Sequence, residues 1–206
     1  VYLHDSFQSD PFFWGIKTIF TIHNLKFQGT WSVDTIKGFS GLSDYYFTSD
    51  KLEAYGNGNM LKGGLVYADR ITTVSRSYAS EIRMPFYGEG LDGLLRARSK
   101  QLSGIVNGID YNVYNPKTDK DIAVNYSVED VIKAKAANKT ALQKELGLEE
   151  NPDAFMLGIV SRLTDQKGLD LVECVLDQIC AEDVQLVVLG TGEGKYQDMF
   201  TYYSRK

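Results

Sequence analysis

The chain has 206 residues, 43% of them hydrophobic, enough to bury a real core and too many for a disordered segment. A formal net charge of −5 argues against a broad basic surface for nucleic acid. No apolar run approaches the roughly 20 residues that cross a bilayer, and the opening Val-Tyr-Leu-His-Asp has neither a basic nor an apolar leader region.

Residues 17–22 (Lys-Thr-Ile-Phe-Thr-Ile) are short, apolar and β-branched, and predict a buried strand. From Gly29 to Gly58 the chain is rich in Gly, Tyr, Ser and Asp and lacks a period, which predicts a long excursion with short helices. Leu61 to Ala68 has helical spacing. Arg70 to Ser75 predicts a second strand, Tyr78 to Ile82 a helix, and Ser103 to Val106 a third strand running into the turn Asn107-Gly108. Asp110 to Asp121 is polar and reads as a linker. A helix is expected next, with Ser127 as its N-cap, Asp130 three residues on, and Gly147 as its stop.

The cleanest unit follows. Residues 155–160 and 184–189 are continuous apolar runs, and Leu171, Val172, Val175, Leu176 and Ile179 mark one face of a helix between them. Apolar strands joined through a helix predict a parallel sheet covered on both faces. The chain therefore reads as two α/β pieces joined near residues 107–121. Cys174 and Cys180 would lie about 9 Å apart along one helix at 1.5 Å per residue, beyond disulfide reach, and two free thiols suit a reducing cytoplasm. With His4 and His23 as the two histidines and no close cysteine pair, no metal site is expected.

Ligands of open parallel sheets bind beyond the carboxyl ends of the strands, so the residues following each strand are the candidates. After 155–160 come Arg162 and Lys167, bracketing a loop that ends at a helix N-terminus. A guanidinium can clamp a phosphate with two parallel hydrogen bonds, a lysine adds a mobile charge, and the helix end adds free N–H groups. Local features alone favour an ordinary solvated loop with two surface cations, and leave the diphosphate site open. Gly190-Thr191-Gly192 is half of a dinucleotide fingerprint and reads first as a tight turn. His23 follows the first strand, where it can meet a sugar hydroxyl or serve structure; a lone histidine more often does the latter. His4-Asp5 reads as a frayed helix end. Lys62-Gly63-Gly64-Leu65 is not a phosphate loop, because its glycines lie inside a helical pattern, and it reads as close helix packing.

The ordered islands Thr21-Ile22-His23-Asn24-Leu25-x-x-Gln28-Gly29, Leu61-Lys62-x-Gly64-Leu65-x-Tyr67-Ala68-Asp69, Ile71-Thr72-Thr73-Val74-Ser75, Gly90-Leu91-Asp92-Gly93-Leu94-Leu95, Leu102 to Asp110 and Ser161-Arg162-Leu163-Thr164-x-Gln166-Lys167-Gly168 together resemble bacterial glycogen and plant starch synthases. The resemblance implies an α/β chain with portions of two Rossmann-like domains of a GT-B fold, parallel sheets flanked by helices, facing each other across a cleft. It places the later part of the N-terminal domain at 1–108, a hinge at 109–121 and the first half of the C-terminal nucleotide-sugar domain at 122–206. It implies a retaining glucosyltransferase, with ADP-glucose as donor, an α-1,4-glucan as acceptor, no cofactor and no catalytic metal, in the cytoplasm. Carried over residue by residue, His23 would contact the donor glucose, Arg162 and Lys167 would hold its diphosphate, and Asn107 would help line the nucleotide pocket. The family's N-terminal lysine–glycine motif and C-terminal glutamate region find no counterpart here. The 206 residues are therefore expected to be a central piece, inactive alone and prone to self-association through exposed edges. A sucrose-phosphate synthase-like transferase and a non-catalytic nucleotide- or carbohydrate-binding module are the rival readings.

Overall fold

In the computed structural model, which describes residues 1–205, the chain divides into two units, Val1–Ile109 and the chain from Asp110 onward. The first begins with 3₁₀ turns at Tyr2–His4 and Pro11–Phe13, then enters β1 (Ile19–Ile22), β2 (Thr30–Trp31), α1 (Val33–Ser40), β3 (Glu53–Ala54) and β4 (Asn57–Asn59). It continues through α2 (Met60–Tyr67), β5 (Arg70–Thr73), α3 (Arg76–Glu81), α4 (Asp92–Ala97) and β6 (Leu102–Gly104). As expected, the three apolar segments share one parallel sheet, in the order β1-β5-β6. Each strand is shorter than its apolar run, because pairing stops where the backbone turns into a loop.

Helix α2 explains why this sheet is covered. Leu61, Leu65 and Ala68 share one face and pack with Ile22, Leu25, Ile71, Ile82, Leu91 and Leu95 in the core. A Cβ on Gly64 would lie 2.4 Å from the Phe20 ring, so the glycine lets the helix press onto β1. Both helix ends are capped. Asn59 Oδ1 accepts from the Lys62 amide at 2.8 Å, and the Arg98 guanidinium donates to the carbonyls of Leu65, Val66 and Ala68 at 2.9, 2.7 and 2.5 Å. The last group answers the orphan carbonyls and negative end of the helix.

The excursion after β1 differs from expectation. Besides short helices it holds a three-stranded antiparallel sheet, β2-β4-β3. His4 is not a frayed end either. Its Nε2 lies 2.8 Å from Thr18 Oγ1 and 3.2 Å from Asp69 Oδ2. The Asp69 carboxylate also accepts from the Thr18 amide at 2.8 Å, which, more than the Thr18 hydroxyl and Lys17, holds its pKa down to about 2. This knot ties the amino ends of β1 and β5, opposite the end that carries His23.

In the second unit, residues 110–130 contain no helix or strand. Helix α5 (Val131–Glu145) begins later than the sequence suggests. Ser127 and Asp130 do pair, the Ser127 amide donating to Asp130 Oδ1 at 2.7 Å, but in a turn ahead of the helix. Gly147, at φ 66°, ends it as expected. Then come β7 (Phe155–Val160), a 3₁₀ turn at Asp165–Lys167, α6 (Leu169–Ala181), β8 (Val184–Leu189) and α7 (Gly194–Tyr203). β7 and β8 pair in parallel along their whole length, Phe155 opposite Val184 and Val160 opposite Leu189. Leu163, Leu169 and Tyr196 are buried together beside Val172, Val188, Met199 and Phe200. Cys174 and Cys180 are free and exposed.

Candidate functional site

The chain beyond β7 keeps bonding to the chain beyond β8. The Ser161 amide donates to Leu189 O at 3.1 Å, Leu163 to Thr191 O at 2.9 Å, and Glu193 to Leu163 O at 2.8 Å. This approach needs Gly190 and Gly192, where a Cβ would fall 1.9 Å from Ser161 O and 2.2 Å from Leu163 O. The two glycines are therefore a place of close backbone contact rather than a simple turn. Arg162 lies between the two bonded amides with its side chain exposed.

The next stretch folds back as a 3₁₀ turn. Lys167 N donates to Thr164 O at 3.0 Å, and Gly168, at φ 68°, opens α6. The turn is held by groups far along the chain that no local pattern marks. Asp165 Oδ1 accepts from Lys195 Nζ and from the Tyr196 hydroxyl, each at 2.6 Å, and Asp165 N donates to Glu193 Oε1 at 3.3 Å. The Asp165 hydrogen bond raises the pKa of both Lys195 and Tyr196. These partners are some thirty positions apart in the chain, and only the fold brings them together. Asp165 thereby occupies Lys195, while neither Arg162 nor Lys167 makes a side-chain hydrogen bond or ion pair among the described residues. Lys167 thus stands exposed just before a 13-residue helix whose amide end adds partial positive charge and whose first turn carries Asp170, and Arg162 stands exposed in the loop ahead of it. Such an arrangement suits an anion with several oxygens.

In the first unit His23 follows β1 directly and is exposed. Its backbone is fixed on both sides. Thr73 Oγ1 donates to Ile22 O at 2.9 Å, and Leu25 N donates to the Tyr78 hydroxyl at 3.2 Å. A rigid support under an exposed imidazole suits a group that touches a ligand. Asn107 lies exposed, past the last ladder bond of β6, Ile105 N to Thr73 O at 2.8 Å. Each of the four candidates therefore follows the carboxyl end of a strand, His23 and Asn107 in one unit, Arg162 and Lys167 in the other. Lys62 is taken up by structure instead, donating to the carbonyls of Ser49 at 2.5 Å and of Glu53. Among the described residues no group of three or more metal-ligating side chains gathers.

Residues 1–97 match the family model described as starch synthase catalytic domain. A glycogen synthase of Lachnospira eligens is 65% identical over the whole chain, and one of Lachnoclostridium phytofermentans 60% identical, the chain covering 43% of each. The chain thus spans less than half the length of the curated relatives it matches. The catalytic domain of starch synthase IV from Arabidopsis thaliana, bound to ADP and acarbose, superposes with a TM-score of 0.83 at 32% identity, over 92% of this chain and 39% of that one. The parallel sheets and flanking helices are accordingly portions of the two Rossmann-like domains of a GT-B fold. Sequence identity along the whole chain, the family model over its first 97 residues and the shared fold agree, and all three liken the chain to the glycogen and starch synthases.

Proposed function

We propose that the full-length protein is a glycogen synthase, which transfers glucose from ADP-glucose to the non-reducing end of an α-1,4-glucan with retention of configuration. The 65% identity to the Lachnospira eligens glycogen synthase along the whole of this chain carries this reading. The ADP in the Arabidopsis starch synthase structure supports the choice of nucleotide. In the reaction the bond between glucose C1 and the diphosphate breaks, ADP leaves, and the new bond forms from C1 to an acceptor hydroxyl, whose proton is released.

Each candidate side chain has a role in that reaction. Arg162 and Lys167 hold the diphosphate and stabilise the negative charge that grows on it as ADP departs. Charge-assisted bonds that strengthen in this way lower the barrier rather than merely the KM. His23 contacts the transferred glucose and fixes it near the reacting carbon. Asn107 lines the nucleotide pocket, and residues 109–121 act as the hinge between domains. Among the described residues no helix is long and apolar enough to cross a membrane, which fits the cytoplasmic setting we propose.

The test is to incubate the full-length protein with ADP-glucose or UDP-glucose, with and without a glucan primer, and follow nucleotide release. Primer-dependent ADP release supports the reading. Transfer to a sugar phosphate in place of glucan would make the protein a sucrose-phosphate synthase-like enzyme. Binding without any transfer would make it a sensor module.

A further inference from the structure

Tyr55 and Glu89 are the two non-glycine residues with positive φ among the described residues, at 53° and 47°. A side chain in that region costs of order 1–2 kcal/mol, and such residues gather where function demands them. These two meet. The Tyr55 hydroxyl donates to Gly90 O at 3.1 Å, and a Cβ on Gly90 would lie 3.1 Å from the Tyr55 ring. On the other side Glu89 O accepts from Gln28 Nε2 at 2.9 Å. Gln28 Oε1 in turn accepts from Asn59 Nδ2 at 2.5 Å, and Asn59 caps α2. The backbone of residues 89–90 is thus held from two elements in a shape that glycine would adopt more readily.

Beyond the one bond from the Tyr55 hydroxyl, the side chains this conformation presents make no contribution to the core. Tyr55 is 82% exposed. The Glu89 carboxylate is exposed and makes no hydrogen bond or ion pair among the described residues. Tyr55 lies on the excursion that leaves β1 through His23, and Glu89, in the loop between α3 and α4, is tied to that excursion through Gln28.

We propose that Tyr55 and Glu89 form a subsite for the acceptor glucan. The ring, fixed by its own hydroxyl, is a rigid apolar platform for the C–H face of a pyranose. The carboxylate, an acceptor with two oxygens, takes hydrogen bonds from sugar hydroxyls. Charge decides which substrate it serves. The donor carries a diphosphate that an unpaired carboxylate repels, whereas the glucan is neutral. The inference rests on the glucosyltransferase reading and adds to it where the acceptor lies.

The experiment compares full-length wild type with Tyr55→Ala, Glu89→Gln and Glu89→Gly. Glucan KM should rise about tenfold in each while the KM for ADP-glucose stays unchanged. Glu89→Gly should melt no lower than wild type, because it relieves the strained backbone. Unchanged glucan KM in Tyr55→Ala and Glu89→Gln overturns the proposal, as does an equal rise in the KM for ADP-glucose. A wild type that transfers no glucose overturns the transferase reading instead, and titration with maltoheptaose then decides the subsite. Binding that weakens about tenfold in Glu89→Gln supports it; binding unaffected by Glu89→Gln and Tyr55→Ala, or none by wild type, overturns it.

Discussion

Replacing Gly190 by alanine tests how the arginine loop is held. The new Cβ would sit 1.9 Å from the carbonyl oxygen of Ser161 and 3.4 Å from Leu163 Cδ2. The first of these is backbone and cannot swing aside as a side-chain tip does. Either β8 or the Ser161–Leu163 segment must move, and overpacking of this kind costs about 1–3 kcal/mol. In a cooperative unit of about 100 residues each kcal/mol lowers Tm by roughly 4–8 °C. The control is Gly158→Ala, in the middle of β7, where a Cβ meets nothing within 4 Å. Thermal unfolding of the two variants should therefore diverge, Gly190→Ala melting well below wild type and Gly158→Ala close to it. Because Arg162 directly follows Ser161, ADP affinity measured by calorimetric titration should fall in Gly190→Ala alone. Equal melting temperatures for the two variants, or full ADP affinity in Gly190→Ala, would refute the argument that this contact positions the arginine.

Arg162→Ala and Lys167→Ala should each lower kcat together with kcat/KM, by about 10²–10³-fold, while shifting stability by less than about 0.5 kcal/mol, since both side chains are exposed and unpaired; a rise in KM alone would reduce them to uniform binding. His23→Ala should keep ADP binding and lose about 100-fold in turnover, and unchanged turnover would return the imidazole to a structural role. The Asp69 carboxyl, held at about 2 against an ordinary 3.8, is depressed by folding, so its stabilisation is present above pH 4 and disappears as the pH falls toward 2. The Tm gap between wild type and Asp69→Asn should therefore narrow across that window, and a gap independent of pH would contradict the assignment.

The sequence revealed the long strands and missed the short ones, for a physical reason. β7 and β8 are long, mostly apolar runs whose limits coincide with the expected residues, but the expected cover on both faces is not met: all their residues are half-buried or exposed, Phe155, Val160 and Leu189 the most. β2 and β3 have two residues each and β4 is Asn-Gly-Asn, too short and too polar for an alternation to appear. Ser127 misled because its pairing with Asp130 is real but belongs to a turn. For the candidate site, the strand-end rule found Arg162, Lys167, His23 and Asn107 as exposed loop residues. What stayed hidden is the support beneath them, the Asp165–Lys195–Tyr196 group and the Thr73 and Tyr78 hydroxyls under His23, because such contacts join residues distant in the chain.

The bonded amides on either side of Arg162 have a bearing on kinetics. Ser161 N and Leu163 N are tied to the carbonyls of Leu189 and Thr191, so the arginine backbone is as fixed as that of a strand residue while its side chain stands in water. Ordering a free loop would cost about 1–2 kcal/mol per residue, whereas here an incoming anion has to still one side chain, at most about 2 kcal/mol. On the proposed role of Arg162, capture of the diphosphate at this position needs no ordering of the arginine's own loop, which removes one source of conformational delay.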